Sequence, residues 1–122
     1  MLADHGYVST MKRHQFEDEV DRVIENLPEW VIDKIDNLAV VVEDSPPPED
    51  GNVLAVYEGI SLADRGDYSG ALPDRIVIFY RPHLGLELDD QELRREIRKT
   101  VLHEIGHHLG IDDDRLAELG WD

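Results

Sequence analysis

The hydrophobic positions change period several times along the chain, and each change marks an element. Between Lys12 and Leu27, Phe16, Val20, Val23 and Leu27 recur at steps of three and four among charged residues, which predicts an amphipathic helix that Pro28 should end. Trp30, Val31 and Ile35 predict a second, shorter helical segment. The β-branched run "NLAVVVED" (37–44) predicts a buried strand, and "DSPPPEDGN" (44–52), with three consecutive prolines, predicts a loop. "VLAVYEGI" (53–60) predicts a second strand and "SLADRGDYSGALPD" (61–74) a glycine-rich connection. "RIVIFYRPH" (75–83) predicts the third and strongest strand, ended by Pro82.

Asp89 followed three residues later by Glu92 resembles a capping box, which opens a helix predicted from about Asp90 to Leu109. Along it, Leu93, Ile97, Val101 and Ile105 form one stripe at steps of four, while Arg95, Lys99, His103 and His107 form another nearly opposite. Gly110 should terminate this helix, and "DDDRLAELGW" (112–121) predicts a last short helix with Gly120 at its C-cap. The order helix, helix, three strands, helix, helix predicts an α+β domain with helices packed on one mostly antiparallel or mixed sheet.

At 122 residues and 41% hydrophobic, the chain suffices for one modest core. Patterned sequence begins after Met11, so the expectation is a disordered extension over 1–11 and a single domain over 12–122. Acidic residues outnumber basic ones 28 to 12, and a formal charge of −16 is repelled by phosphate backbones and anionic membranes. No nucleic acid and no membrane are therefore expected as partners. There is no cysteine, so any metal site must be built from His, Asp and Glu. The first residues lack the basic start and apolar stretch of a signal peptide, and the expectation is a soluble cytoplasmic protein.

The chemistry concentrates in "VLHEIGHHLGIDDD" (101–114). His103 and His107 are four apart, so both imidazoles leave one helix face about 6 Å of rise from each other, and one zinc ion suits the space between them. Glu104 lies beside that position, where a general base belongs. Gly110, free to adopt a left-handed conformation, can reverse the chain and bring Asp113 back as a third ligand, with Asp112 and Asp114 as alternatives. From this chain's own composition, the five positions His103, Glu104, His107, Gly110 and Asp113 would coincide by chance on the order of 3 times in 10,000, which sets aside a merely polar helix face.

On those residues the chain resembles the zincin metallopeptidases, specifically the aspartate-ligand type and the small single-domain mini-zincins. The resemblance implies a small twisted mixed sheet of three to four strands, packed with an active-site helix and N-terminal helices. It also implies zinc ligands His103, His107 and Asp113, Glu104 as base, and a peptide or protein substrate along an edge strand. The chain departs from larger zincins in lacking a downstream methionine turn, since Met1 and Met11 are its only methionines. Trp121, or Leu119 with it, is the expected substitute floor beneath the ligands. A catalytically silent interaction module on the same scaffold is the alternative.

Candidates outside the motif are less specific. "VLAVYEG" is the expected edge strand for a substrate. Tyr57, Tyr68, Tyr80, His83 and Arg75 are candidate donors to an oxyanion. His108 points some 100° away from His107 and is read as an outer neighbour of the ligands or a surface residue; His14 is read as exposed and His5 as disordered. An exposed sheet edge also makes a homodimer an expectation.

Overall fold

The computed structural model describes residues 7–61, 63 and 73–122. Helix α1 (Arg13–Glu25) and the short α2 (Glu29–Lys34) lead into β1 (Leu38–Glu43). A single 3-10 turn over Pro48–Asp50 occupies the proline loop before β2 (Ala55–Glu58). Strand β3 (Asp74–Phe79) runs directly into α3 (Tyr80–Leu84), followed by α4 (Asp90–Leu109) and α5 (Asp113–Leu119). The described strands form one mixed sheet in the order β1-β3-β2, with β1 parallel and β2 antiparallel to the central β3.

The most apolar strand takes the centre, as burial on both faces requires. Ile76, Val77, Ile78 and Phe79 are all buried, and the register pairs Val40 with Ile76 on one side and Tyr57 with Ile76 on the other. Phe16 and Val20 of α1 share the core with Leu93, Ile97, Val101 and Ile105 of α4, all of them at most 2% exposed. The stripe of steps of four thus faces inward as expected, and the His103 and His107 stripe stays half-exposed on the other side.

Two expectations are corrected. The third strand does not continue to His83: it stops at Phe79, and Pro82 lies within α3. A proline in the first turn of a helix forfeits no intrahelical bond, so Pro82 is compatible with a helical turn there. Nor are residues 9–11 part of a disordered extension. Met11 is buried in the core, the Ser9 amide donates to the Leu88 carbonyl at 2.7 Å, and the Ser9 hydroxyl donates to Asp90. The apolar Met11 side chain caps the start of α1, which sequence periodicity alone does not register. His5, Tyr68 and most of the 61–74 connection lie outside the described residues.

The capping box at α4 is formed. Asp89 Oδ1 accepts from the Glu92 amide at 2.8 Å, and Glu92 Oε1 accepts from the Asp89 amide at 3.2 Å. At the other end Gly110 has φ +78°, the Ile111 amide reaches back to the Gly106 carbonyl at 2.9 Å, and the chain reverses in a Schellman turn. Gly106 then has its own task. A Cβ there would come within 2.3 Å of Leu116, so its absence is what lets α5 fold back against α4. No helix among the described residues is long and apolar enough to cross a membrane.

Candidate metal centre

His103, Glu104 and His107 each offer a ligand atom, and these atoms lie within 4.8 Å of one another. The two imidazoles sit 4.5 Å apart, centroid to centroid, and nearly perpendicular at 69°. Helix α4 alone produces this grouping: positions i, i+1 and i+4 of a regular helix place three polar groups at its half-exposed face.

What holds the ring of His103 comes from the end of the chain. Its Nδ1 lies 3.0 Å from the Trp121 carbonyl, which can only accept, so Nδ1 carries a proton and the lone pair of the neutral ring is the one on Nε2. A ring fixed in this way has the outer-shell hydrogen bond that metal-binding histidines need. Trp121 is itself buried and stacks on Trp30 of α2 at 5.9 Å and 8°. A second Schellman turn delivers it: Gly120 has φ +77° and the Trp121 amide donates to the Leu116 carbonyl at 2.8 Å. Trp121 thus meets His103 through its backbone carbonyl, while its ring stacks on Trp30. His107 is placed with its Nδ1 3.3 Å from Glu104 Oε1.

Asp113 stands apart from the group of three: it is exposed in the first turn of α5 and is not among the atoms within 4.8 Å. Its neighbour Asp112 has another occupation, accepting from the Arg115 amide at 2.9 Å as the N-cap of α5. That bond engages Oδ1 of Asp112, whereas the carboxylates of Asp113 and Asp114 cap no helix.

The site lies alongside β2. A cleft of ≈ 210 Å³ on one side is lined by Leu54 and Ala55 together with Lys99, His103, Glu104 and Asp122, and one of ≈ 490 Å³ on the other by Tyr57, Gly59, Ser61 and His107. Among the described residues β2 pairs only with β3, and residues of β2 and its flanks line these clefts together with His103 and His107.

The other candidate residues are occupied elsewhere. His83 is fully buried, its ring packed edge-on against Phe16 at 5.1 Å, with Nδ1 2.7 Å from the Phe79 carbonyl and Nε2 3.0 Å from the Thr100 hydroxyl. Burial pushes its pKa below the ordinary histidine value, while the Phe79 carbonyl and the Glu96 charge oppose that shift. Tyr80 donates to the Met11 carbonyl at 2.6 Å, and Arg75 pairs with Glu58 at 3.1 Å on the surface. His14 is exposed, as expected.

His108 is no surface residue. It is fully buried, accepts the Asp36 amide on Nε2 at 3.2 Å, and gives its Nδ1 proton to Asp74 Oδ2 at 2.9 Å. Tyr57 of β2 also donates to Asp74, which is 3% exposed. A Cβ on Gly59 would sit 2.4 Å from Asp74 Oδ1, so a glycine is needed to admit that carboxylate. This network ties the last turn of α4 to β2, β3 and the start of β1, and it removes Tyr57 from the oxyanion candidates. Its one sequence signal was Asp74, an acid opening a strongly apolar strand.

A sequence profile of the zincin-like metallopeptidases matches residues 35–121. Among solved structures, a conserved hypothetical protein from Thermus thermophilus is similar at a TM-score of 0.59 and 24% identity, covering 91% of this chain and 100% of that one; this likeness is one of fold. No curated protein matches. The profile spans well over half of the chain, including β1, β2, β3 and the whole of α4 with its histidines, and the chain belongs to the zincin-like metallopeptidase family.

Proposed function

We propose that this chain is a zinc-dependent peptidase that hydrolyses peptide bonds with Glu104 as general base. The observation that carries this reading is the convergence of His103, Glu104 and His107 within 4.8 Å on the helix face, beside a strand edge that no other described strand covers. The donor set fits zinc: two imidazoles, one with its tautomer fixed by a carbonyl, plus carboxylates and no thiolate. His103 and His107 would hold the ion, and Asp113 is the proposed third ligand, swinging in from the first turn of α5. Bound zinc supplies Lewis-acid polarisation of a carbonyl and makes water a nucleophile near neutral pH.

The chain's own residues do the rest. Glu104, 8% exposed, takes the proton of the attacking water on its carboxylate and passes it to the leaving amine nitrogen. The outer edge of β2 pairs with an extended peptide and draws the scissile bond across the face of α4. The Trp121 carbonyl holds the ring of His103 so that the lone pair on its Nε2 stays available. Glu104→Gln keeps the shape and removes the base, so it should retain zinc and lose hydrolysis of a diverse peptide library by at least about a hundredfold.

The position of Asp113 outside the group favours a second reading, a zincin scaffold that binds partners without catalysis. Zinc content of protein purified without chelator, followed by peptide turnover with and without added zinc, separates the two.

A further inference from the structure

Away from the histidines, the first half of α4 and the C-terminal half of α1 enclose a mostly apolar groove of ≈ 390 Å³. Its walls include Val23, Leu27 and Pro28 on one side and Leu102 on the other. Four of the chain's 12 basic residues, Arg22, Arg94, Arg95 and Arg98, also line it. Glu19 pairs with Arg22 and with Arg94, each at 3.2 Å. Among the described residues Arg95 and Arg98 have no acidic partner, although the chain carries 28 acidic residues. In a molecule of charge −16, two such guanidinium groups on the rim of a groove floored by the buried Leu27 and Leu102 are a local exception to the field of the whole.

The geometry points to this groove as a docking site for an acidic amphipathic helix of a partner protein. The pairing of chemistry is what selects the occupant. A groove between two helices accepts the apolar face of a third, laid against Val23 and Pro28 over the buried Leu27 and Leu102. Acidic residues flanking that face meet Arg95 and Arg98 in bidentate pairs. Elsewhere on the molecule the same acidic helix is repelled, so charge directs it to this face and sets its orientation. Of the stripe Arg95, Lys99, His103, His107, Arg95 lines this groove, while Lys99 and His103 line the separate cleft beside β2. Docking itself requires neither metal nor catalysis.

The test uses the full chain carrying Glu104→Gln, so that binding is read without turnover. The probe is a fluorescein-labelled synthetic peptide of about 18 residues, with leucines at helical steps of three and four and glutamates flanking them, compared with the same peptide carrying glutamine for glutamate. The glutamate peptide is expected to bind, to shift the methyl resonances of Val23, Leu27 and Leu102, and to weaken about tenfold in the Arg95→Ala/Arg98→Ala double variant. Arg95→Lys/Arg98→Lys, which keeps the charge, should lose only a few-fold, and Arg75→Ala should lose nothing. Absence of saturable binding would overturn the proposal, as would equal affinity for the glutamine peptide, unchanged affinity in the double alanine variant, or shifts confined to β2. Binding without hydrolysis by the unmutated chain leaves the docking site standing, and the peptidase reading is decided separately by turnover of a diverse peptide library.

Discussion

His107 and His108 are consecutive on α4 and sit in opposite surroundings. His107 lies on the half-exposed face with His103 and Glu104, where its contacts leave a ring nitrogen free to bind something. His108 is fully buried, with both ring nitrogens committed to Asp36 and Asp74. The 100° step of a helix is enough to turn one residue type from candidate ligand to buried strut. The site is thus built in two layers, a half-exposed face and a buried lock, and each should respond to mutation in its own way.

The sharpest test of that division is a pair of alanines. His107→Ala or His103→Ala should weaken zinc binding by more than about a hundredfold in chelator competition while the melting temperature moves little, since both rings are half-exposed. His108→Ala should do the reverse. It removes the Nδ1 donor from a carboxylate that is 3% exposed and opens a cavity, so unfolding in denaturant should show a loss of roughly 3 kcal/mol. Equal effects of the two substitutions on either readout would break the comparison.

Next in size is the packing that supports both layers. Gly106→Ala pushes a methyl to within 2.3 Å of Leu116, so α5 must shift and stability should fall by about 1–3 kcal/mol, despite the gain in helix propensity. A smaller effect is expected from Trp30→Ala. Losing a stacked pair costs about 0.5–1.5 kcal/mol and loosens the Trp121 carbonyl that orients His103, so zinc affinity should drop several-fold and Trp30→Phe should restore most of it.

The smallest effect concerns His83, the second buried histidine. Its folded pKa is lowered by burial below the ordinary 6.5, so beneath pH 6.5 the unfolded chain binds the extra proton and the native chain does not. The stability this contributes is complete above pH 6.5 and is lost as pH falls toward the folded pKa, with a slope of at most about 1.4 kcal/mol per pH unit. The stability difference between the unmutated chain and His83→Gln should therefore shrink as pH drops below 6.5, read from melting curves across that range.

Much of this arrangement was legible in the sequence because it is local. The boundaries of α4, its capping box, the left-handed Gly110 and the separation of His103 and His107 from the core stripe all follow from spacing within about twenty residues. What escaped is long-range. Nothing near His108 in sequence announces Asp74 or Asp36, since the contact exists only once β3 and β1 pair beneath the end of α4. The burial of Met11 and the helical fate of Pro82 were hidden for the same reason, because tertiary packing decided both. At the third ligand position the sequence left three aspartates open, and Asp112 differs from the other two in serving as the N-cap of α5 through Oδ1.

His103, Glu104 and His107 are proposed as a hydrolytic zinc centre. The most direct measurement is peptide turnover by zinc-loaded chain and by zinc-loaded Glu104→Gln, with metal content determined on the same samples. The account predicts about one zinc per chain in both and cleavage by the first alone. Full zinc loading with no cleavage of a diverse peptide library by either, or equal cleavage by both, would contradict it.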